Sequence, residues 1–286
     1  MSKTLTILGC GYVGTALAKY AKSQGWLVSA LTRNPQTAEE LEREGIDKII
    51  VSYLDSDEWH EHLNPEQDFV VNCVGAASFT EEGYVKSYIE GQKSAMSWAK
   101  LGRVGTFVFT SSCSVYPQTG RKLVDESASS AGVSEKGGLL LAAESVSFPS
   151  PATIDRSFIL RLGGIYGPDR HLLVEKIKAQ EKMEGNSSRI LNLIHREDAV
   201  SAIVACLLAD EKNLGRIYNL TDGSPVQRGQ IIEWLSQKMD LPAIEFMEND
   251  SEETPNRKIS NQRIQNELSW SPTFPSFIQG YESLLT

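Results

Sequence analysis

With 286 residues, 41% of them hydrophobic and 23% charged, the chain has the composition of a globular protein with one large core and an appended lobe, which excludes disordered and collagen-like classes. Its net charge of −9, from 37 acidic and 28 basic residues with no block of five or more Lys or Arg, argues against a nucleic-acid-tracking surface. No apolar stretch reaches the roughly 18 residues of a membrane span.

The N-terminus runs directly into an apolar strand and leaves no room for a signal peptide, so a cytoplasmic location is expected. Residues 4–8 form that strand, ended by glycine, and Val13, Ala16, Leu17 and Tyr20 follow at helical spacing. Residues 26–31 read as a second strand. Asn34-Pro35 then opens a helix, with Asn as cap and Pro at the first helical position, and Gly45 closes it. The rhythm continues with a strand at 48–54, a short helix opened by Ser56, a strand at 69–74 and a long helix over 81–101. A strand at 106–110, a helix at 135–147 and a strand at 157–162 complete the alternation. Strands and helices alternating in this way predict a doubly wound parallel α/β sheet of the Rossmann type, with helices on both faces.

Beyond Tyr166-Gly167-Pro168 the alternation loosens. Strands at 189–194 and 216–220, helices at 197–209, 229–239 and 260–268, and an acidic loop at 249–257 suggest a smaller α/β lobe. The expected organisation is a nucleotide-binding domain over 1–165 and a substrate lobe over 166–286, interleaved with the main core.

The loop Gly9-Cys10-Gly11-Tyr12-Val13-Gly14 follows a strand and opens a helix, which is the context that makes G-x-G-x-x-G a dinucleotide fingerprint. Gly9 permits the tight turn, Gly11 lets a pyrophosphate approach the backbone, and Gly14 lets helix and strand pack closely. The helix N-terminus at Tyr12 and Val13 adds N–H groups for the phosphates. NAD-preferring proteins carry an acid at the end of the second strand to bind the ribose hydroxyls. Here Thr32-Arg33 stands there, so NADP(H) is favoured over NAD(H), with the Arg33 guanidinium and the Thr32 hydroxyl meeting the 2′-phosphate. Asp55, after the third strand, is placed to accept from the adenine amino group or to cap a helix. Cys73-Val74-Gly75 ends the fourth strand, where small residues let the cofactor lie against the backbone.

Four cysteines, Cys10, Cys73, Cys113 and Cys206, form no C-x-x-C and read as reduced thiols. Cys10, Cys73 and Cys113 follow neighbouring strands at the ligand-binding edge, where small packing residues are expected. A redox-sensitive thiol or a metal trio would need a depressed thiol pKa. No metal site is expected.

Five segments together resemble the extended short-chain dehydrogenase/reductase superfamily, in its atypical epimerase/dehydratase-like branch that includes the YeeZ-type proteins. They are the glycine loop, Phe107 to Tyr116, Leu160 to Pro168, Ile194 to Val200 and Ser260 to Arg263. The resemblance implies NAD(P) in the N-terminal domain and a small-molecule substrate, often a nucleotide sugar or another carbonyl compound, beneath the C-terminal lobe. It leaves a homodimer open and implies neither nucleic acid nor membrane as partner. It places the substrate-positioning Ser on Ser112, with Ser111 beside the cofactor. The family's Tyr-x-x-x-Lys pair does not align: Lys136 falls on the Tyr position and Leu140 on the Lys position, and residues 117–165 contain no tyrosine.

Two readings follow. In one the chain is an enzyme whose proton donor is Tyr116, Tyr166, Lys136 or His171. In the other it is an NADP(H)-responsive binding protein without turnover. His195 and Asp198 are expected to be structural, with Asp198 near a helix N-terminus.

Overall fold

The computed structural model describes residues 2–148, 151–210, 215–247 and 254–285. The described residues fall into two compact units that alternate along the chain. The first comprises Met1–Val115, Val133–Arg161 and Val200–Tyr218, and the second Tyr116–Gly132, Leu162–Ala199 and Asn219–Thr286.

The first unit is built on strands β1 (Thr4–Leu8), β2 (Leu27–Thr32), β3 (Lys48–Val51), β4 (Gln67–Asn72), β5 (Val104–Ser112), β6 (Ile154–Leu162) and β7 (Gly215–Leu220), whose last residues pass into the second unit. They form one sheet in the order β7-β6-β5-β4-β1-β2-β3, the doubly wound Rossmann arrangement. The register aligns the C-terminal ends: Leu8 pairs with Leu31 and with Asn72, and Asn72 with Phe109. The strand order reverses between β1 and β4, so the segments after these strands flank the switch point where such sheets bind ligands.

These strands are apolar on both faces because helices cover both. Helix α1 (Tyr12–Ser23) buries Val13, Leu17, Ala18 and Ala21. Helix α2 (Pro35–Arg43) starts as its sequence predicts, with the Asn34 side chain accepting from the Gln36 N–H at 2.9 Å. Helices α3 (Glu81–Tyr84) and α4 (Gly91–Ala99) are joined by a π-helical stretch, Val85–Glu90, and α5 (Glu135–Ser147) buries Gly137, Leu140, Ala143, Glu144 and Ser147. Trp59, Trp98, Phe107 and Phe109 centre the core, each buried aromatic contributing about 1.5–3 kcal/mol.

The second unit holds short elements around its own core of Tyr166, Ile177, Ile231, Leu235 and Tyr281. Its helices include Leu172–Lys178, Arg228–Lys238, Gln262–Leu268 and Phe277–Leu285, of which the first and last were not expected. The expected strand at 189–194 is two pieces, Ile190–Leu191 and Leu193–His195. They part at Asn192, whose side chain accepts from the Ile259 N–H at 2.7 Å and donates to the Arg257 carbonyl at 3.0 Å. The expected acidic loop is cut back to its end, since Arg257 already starts a strand. Residues 249–253 of that loop lie outside the described residues. Among the described residues no helix is long and apolar enough to cross a membrane.

Candidate functional site at the switch point

The three glycines of the loop after β1 differ in why they are glycine. Gly9 has φ +87°, and a Cβ there would lie 2.7 Å from the Val74 backbone. A Cβ on Gly14 would meet the Gly9 carbonyl at 2.7 Å and the Cys73 sulfur at 3.0 Å. Both are dictated by the chain's own packing. Gly11 is not: its φ is −98°, and a Cβ would meet nothing within 4 Å. Gly75 and Gly138 share this property, with ordinary φ and open space, whereas Gly25, Gly45, Gly120 and Gly132 are explained by positive φ. Gly11 caps α1 without a side-chain hydrogen bond, and the helix's first turn carries no acid to offset its partial positive charge.

At the end of β2 Thr32 is buried and accepts from the Asn34 N–H at 3.3 Å, while Arg33 is exposed and forms no ion pair among the described residues. Asp55 is exposed and lines a cleft of about 600 Å³ together with Glu81, Glu82, Val85, Lys86 and Glu90. Val74 and Cys73 are half-buried and Gly75 is exposed. The Cys73 thiol donates to the Gly9 carbonyl at 3.3 Å, and burial pushes it up to about 12. Burial also raises Cys10 and Cys206, and the Cys113 thiol donates to the Arg161 carbonyl at 3.0 Å. Cys10 and Cys73 are thus protonated packing groups, and no metal-holding cluster of His, Cys, Asp or Glu occurs among the described residues.

The two serines that end β5 point opposite ways, as strand alternation requires. Ser111 is buried and donates to Glu144 Oε1 at 2.6 Å. Arg161 completes the group, with Nε 3.0 Å from Glu144 Oε1 and Nη2 2.6 Å from Oε2. This buried Ser-Glu-Arg network was missed in the sequence. Its signal was an acid on the apolar face of α5 and a single Arg inside the apolar run of β6. It fixes the register of α5, so that Leu140, four residues before Glu144, is buried, and Lys136, eight before, is exposed at the helix start. Ser112 is half-buried and accepts from the Ser114 N–H at 3.1 Å.

Tyr116 and Tyr166 belong to the second unit, and both are buried. The Tyr116 hydroxyl donates to Asn219 Oδ1 at 2.7 Å with no exposed surface, which commits it to the interior instead of offering it to a substrate. Tyr166 stacks on Tyr281 with ring centroids 4.8 Å apart, and its hydroxyl, unpartnered among the described residues, fits over Gly280. Burial, then the charge of Asp222, raise this phenol far above its ordinary value and make it a poor acid. His171 is half-buried and shared between the Gly167 carbonyl and Glu175. His195 is buried, and Asp198 accepts from the Thr273 and Phe274 N–H groups at 2.7 and 3.0 Å.

A doubly wound sheet with its glycine loop at the switch point defines a protein of the Rossmann architecture. Residues 5–136 match the NAD dependent epimerase/dehydratase family. Over 279 residues the chain is 26% identical to Protein YeeZ of Escherichia coli (strain K12), covering 96% of this chain and 97% of that one. Its fold superposes on MoeE5 in complex with UDP-glucuronic acid and NAD, with TM-score 0.82, 19% identity and 98% and 96% of the two chains covered. It matches UDP-glucuronic acid 4-epimerase from Bacillus cereus in complex with NAD equally, with TM-score 0.82, 18% identity and the same coverage. Over its length the chain is thus similar to YeeZ, and its N-terminal part matches the epimerase/dehydratase family.

Proposed function

We propose that the chain is an NADP(H)-dependent, epimerase/dehydratase-like oxidoreductase of the atypical type, acting on a carbonyl compound or nucleotide sugar without the usual Tyr-x-x-x-Lys pair. The observation that carries the cofactor reading is Gly11, a glycine whose Cβ position no described residue fills, at a helix N-terminus without a side-chain cap beside the switch point. Gly75 after β4 has the same open surroundings. A bound nicotinamide would supply or take up hydride. The backbone at Gly11 and the start of α1 would hold the pyrophosphate, with Arg33 and the Thr32 backbone turn at the 2′-phosphate. The preference for NADP rests on the exposed, unpaired guanidinium and the absence of an acid at the end of β2. Ser112, half-buried at the end of β5, would orient the substrate oxygen. A nucleotide sugar is favoured as substrate because some solved structures of similar fold, MoeE5 among them, hold UDP sugars. The proposal includes a cytoplasmic location, in keeping with free thiols.

Calorimetric titration should show tighter binding of NADPH than of NADH, and equal or tighter NADH binding overturns the preference. A screen of carbonyl compounds and nucleotide sugars should find a substrate. With it, Ser112→Ala should lower turnover about 10- to 1000-fold and leave NADPH affinity within about threefold, because an orienting hydrogen bond matters most in the transition state. The second reading, an NADP(H)-responsive binding protein, is favoured by the burial of Leu140 where the family has Lys and by the commitment of Tyr116 to Asn219. It becomes the better account if NADPH binds and nothing in the screen turns over.

A further inference from the structure

Lys136 and the tyrosines of the preceding helical segment meet at the start of α5. The Lys136 ammonium lies over the Tyr84 ring, 5.5 Å from its centroid, and has no carboxylate partner among the described residues. Tyr84 packs against Tyr88 with centroids 5.3 Å apart. The Tyr88 hydroxyl takes the Ala76 N–H, and the Ser87 hydroxyl takes the Ala77 N–H at 2.9 Å, so this segment is tied to the loop that follows β4. Helix α5 is tied to the turn after β5, since a Cβ on Gly137 would lie 3.0 Å from the Ser114 carbonyl. The loop after β4, the turn after Ser112 and the Tyr84–Lys136 pair therefore converge at the ligand-binding edge of the first unit. Both Tyr84 and Ser112 are half-buried, so neither residue is sealed in the interior.

We propose that Tyr84 is the proton donor and acceptor of this site and that Lys136 is its positioning cation, a phenol and ammonium brought together from two elements instead of one helix. The inference rests on the oxidoreductase reading above. In the reducing direction the Tyr84 O–H bond breaks and the proton passes to the substrate oxygen, as the carbonyl π pair becomes an O–H bond. The new C–H bond takes its hydride from the reduced nicotinamide, and solvent returns a proton to the phenolate. Lys136 stabilises that phenolate through space. A phenol that is not sealed in the interior, with an ammonium over its ring, suits a general acid. Tyr116 and Tyr166, sealed in the second unit, do not meet that condition.

Two measurements test this. The first needs neither cofactor nor substrate: 3-nitrotyrosine is placed at position 84 and its visible nitrophenolate band is titrated in the Lys136 and Lys136→Met backgrounds. The midpoint should rise by about half to one pH unit when the ammonium is lost, as expected for one charge at this distance near a surface, and Lys136→Arg should restore most of it. An unmoved midpoint overturns the pairing. The second uses the carbonyl substrate from the screen, with NADPH. Tyr84→Phe should lower kcat at least 30-fold with NADPH affinity within about threefold, and Lys136→Met should lower kcat and shift its pH profile to higher pH. Full activity in Tyr84→Phe, with wild type active, overturns the acid role alone. A wild type that binds NADPH and turns over nothing overturns the oxidoreductase reading and the acid role with it, while leaving the nitrophenolate result intact.

Discussion

The loop after β1 and the first turn of α5 both bring glycines to a helix N-terminus of the first unit, yet they are built for different ends. Packing dictates Gly9 and Gly14 at the first, pressed against Val74 and the Gly9 carbonyl, and Gly137 at the second, pressed against Val133 and Ser114. Each also has one glycine with open surroundings, Gly11 and Gly138. The difference lies in the caps. Helix α5 is capped by Ser134, which accepts from the Gly137 N–H at 3.3 Å, and carries Glu135 in its first turn. Helix α1 has neither a side-chain cap nor an acid. Glycine content alone therefore does not distinguish the two helix ends; the side-chain cap and the acid do.

The sharpest way to break this comparison is to substitute within the loop. Gly11→Val should abolish binding of NADPH and NADH by calorimetry while leaving the unfolding temperature within about 2 °C, because a Cβ at this position meets no protein atom within 4 Å. Gly9→Ala should do the reverse, destabilising the fold by several kcal/mol through its positive φ and its clash with Val74. If the two variants lose stability alike, Gly11 is a packing glycine and the distinction fails.

Stability assays of these variants need a chosen pH, and Asp222 of the second unit decides it. Burial is the main cause that raises its carboxyl from 3.8 to about 7, and its Oδ2 has no partner among the described residues. The folded state therefore holds this proton more tightly than the unfolded state. The contribution is fully present below about pH 4, falls as pH rises towards 7 and is lost above, by up to about 4 kcal/mol on the linkage relation. Asp222→Asn should flatten that part of the profile in thermal unfolding between pH 5 and pH 8. An unchanged slope would mean that the carboxylate is ionised and satisfied in the fold.

A smaller effect is expected at the other end of the cofactor. Arg33→Ala should weaken NADPH binding by about 1–3 kcal/mol, the scale of a charge-assisted hydrogen bond, and leave NADH nearly unchanged. Equal losses for both would move Arg33 from the 2′-phosphate to a general electrostatic role.

The large sheet was legible because parallel strands must be apolar on both faces and must stop at glycine or polar residues, as at Leu8-Gly9 and Asn72-Cys73. The second unit was harder, since its strands at Met183–Glu184, Ile190–Leu191 and Phe246–Met247 are two residues long and carry no periodicity. The helix Phe277–Leu285 was readable and was missed: Ser276 accepts from the Ile278 N–H, and Phe277, Tyr281 and Leu284 follow at helical spacing. At the candidate site, glycines and Arg33 could be placed by their distance from strand ends. The Glu144–Arg161 pair and the Tyr84–Lys136 contact could not, because they join residues 17 and 52 positions apart and depend on which helix faces meet. Tyr116 illustrates the converse. Its position after β5 suggested chemistry, and only its burial against Asn219 shows a phenol turned inward.

The smallest effect is expected at Gly138, which shares the open surroundings of Gly11 but lies inside a capped helix. Glycine within a helix is less favourable than alanine by about 1 kcal/mol, chiefly through backbone entropy, and a Cβ at this position meets nothing within 4 Å. Gly138→Ala should therefore raise the unfolding temperature by about 2 °C to 3 °C for a chain of this size. Calorimetry on the same variant then separates two reasons for the glycine. Unchanged NADPH affinity and unchanged turnover would make Gly138 a helix residue without a role in binding, unlike Gly11. A more stable protein that has lost NADPH affinity would place the cofactor against α5 as well as α1, and one that keeps NADPH but loses turnover would place the substrate there, two residues beyond Lys136.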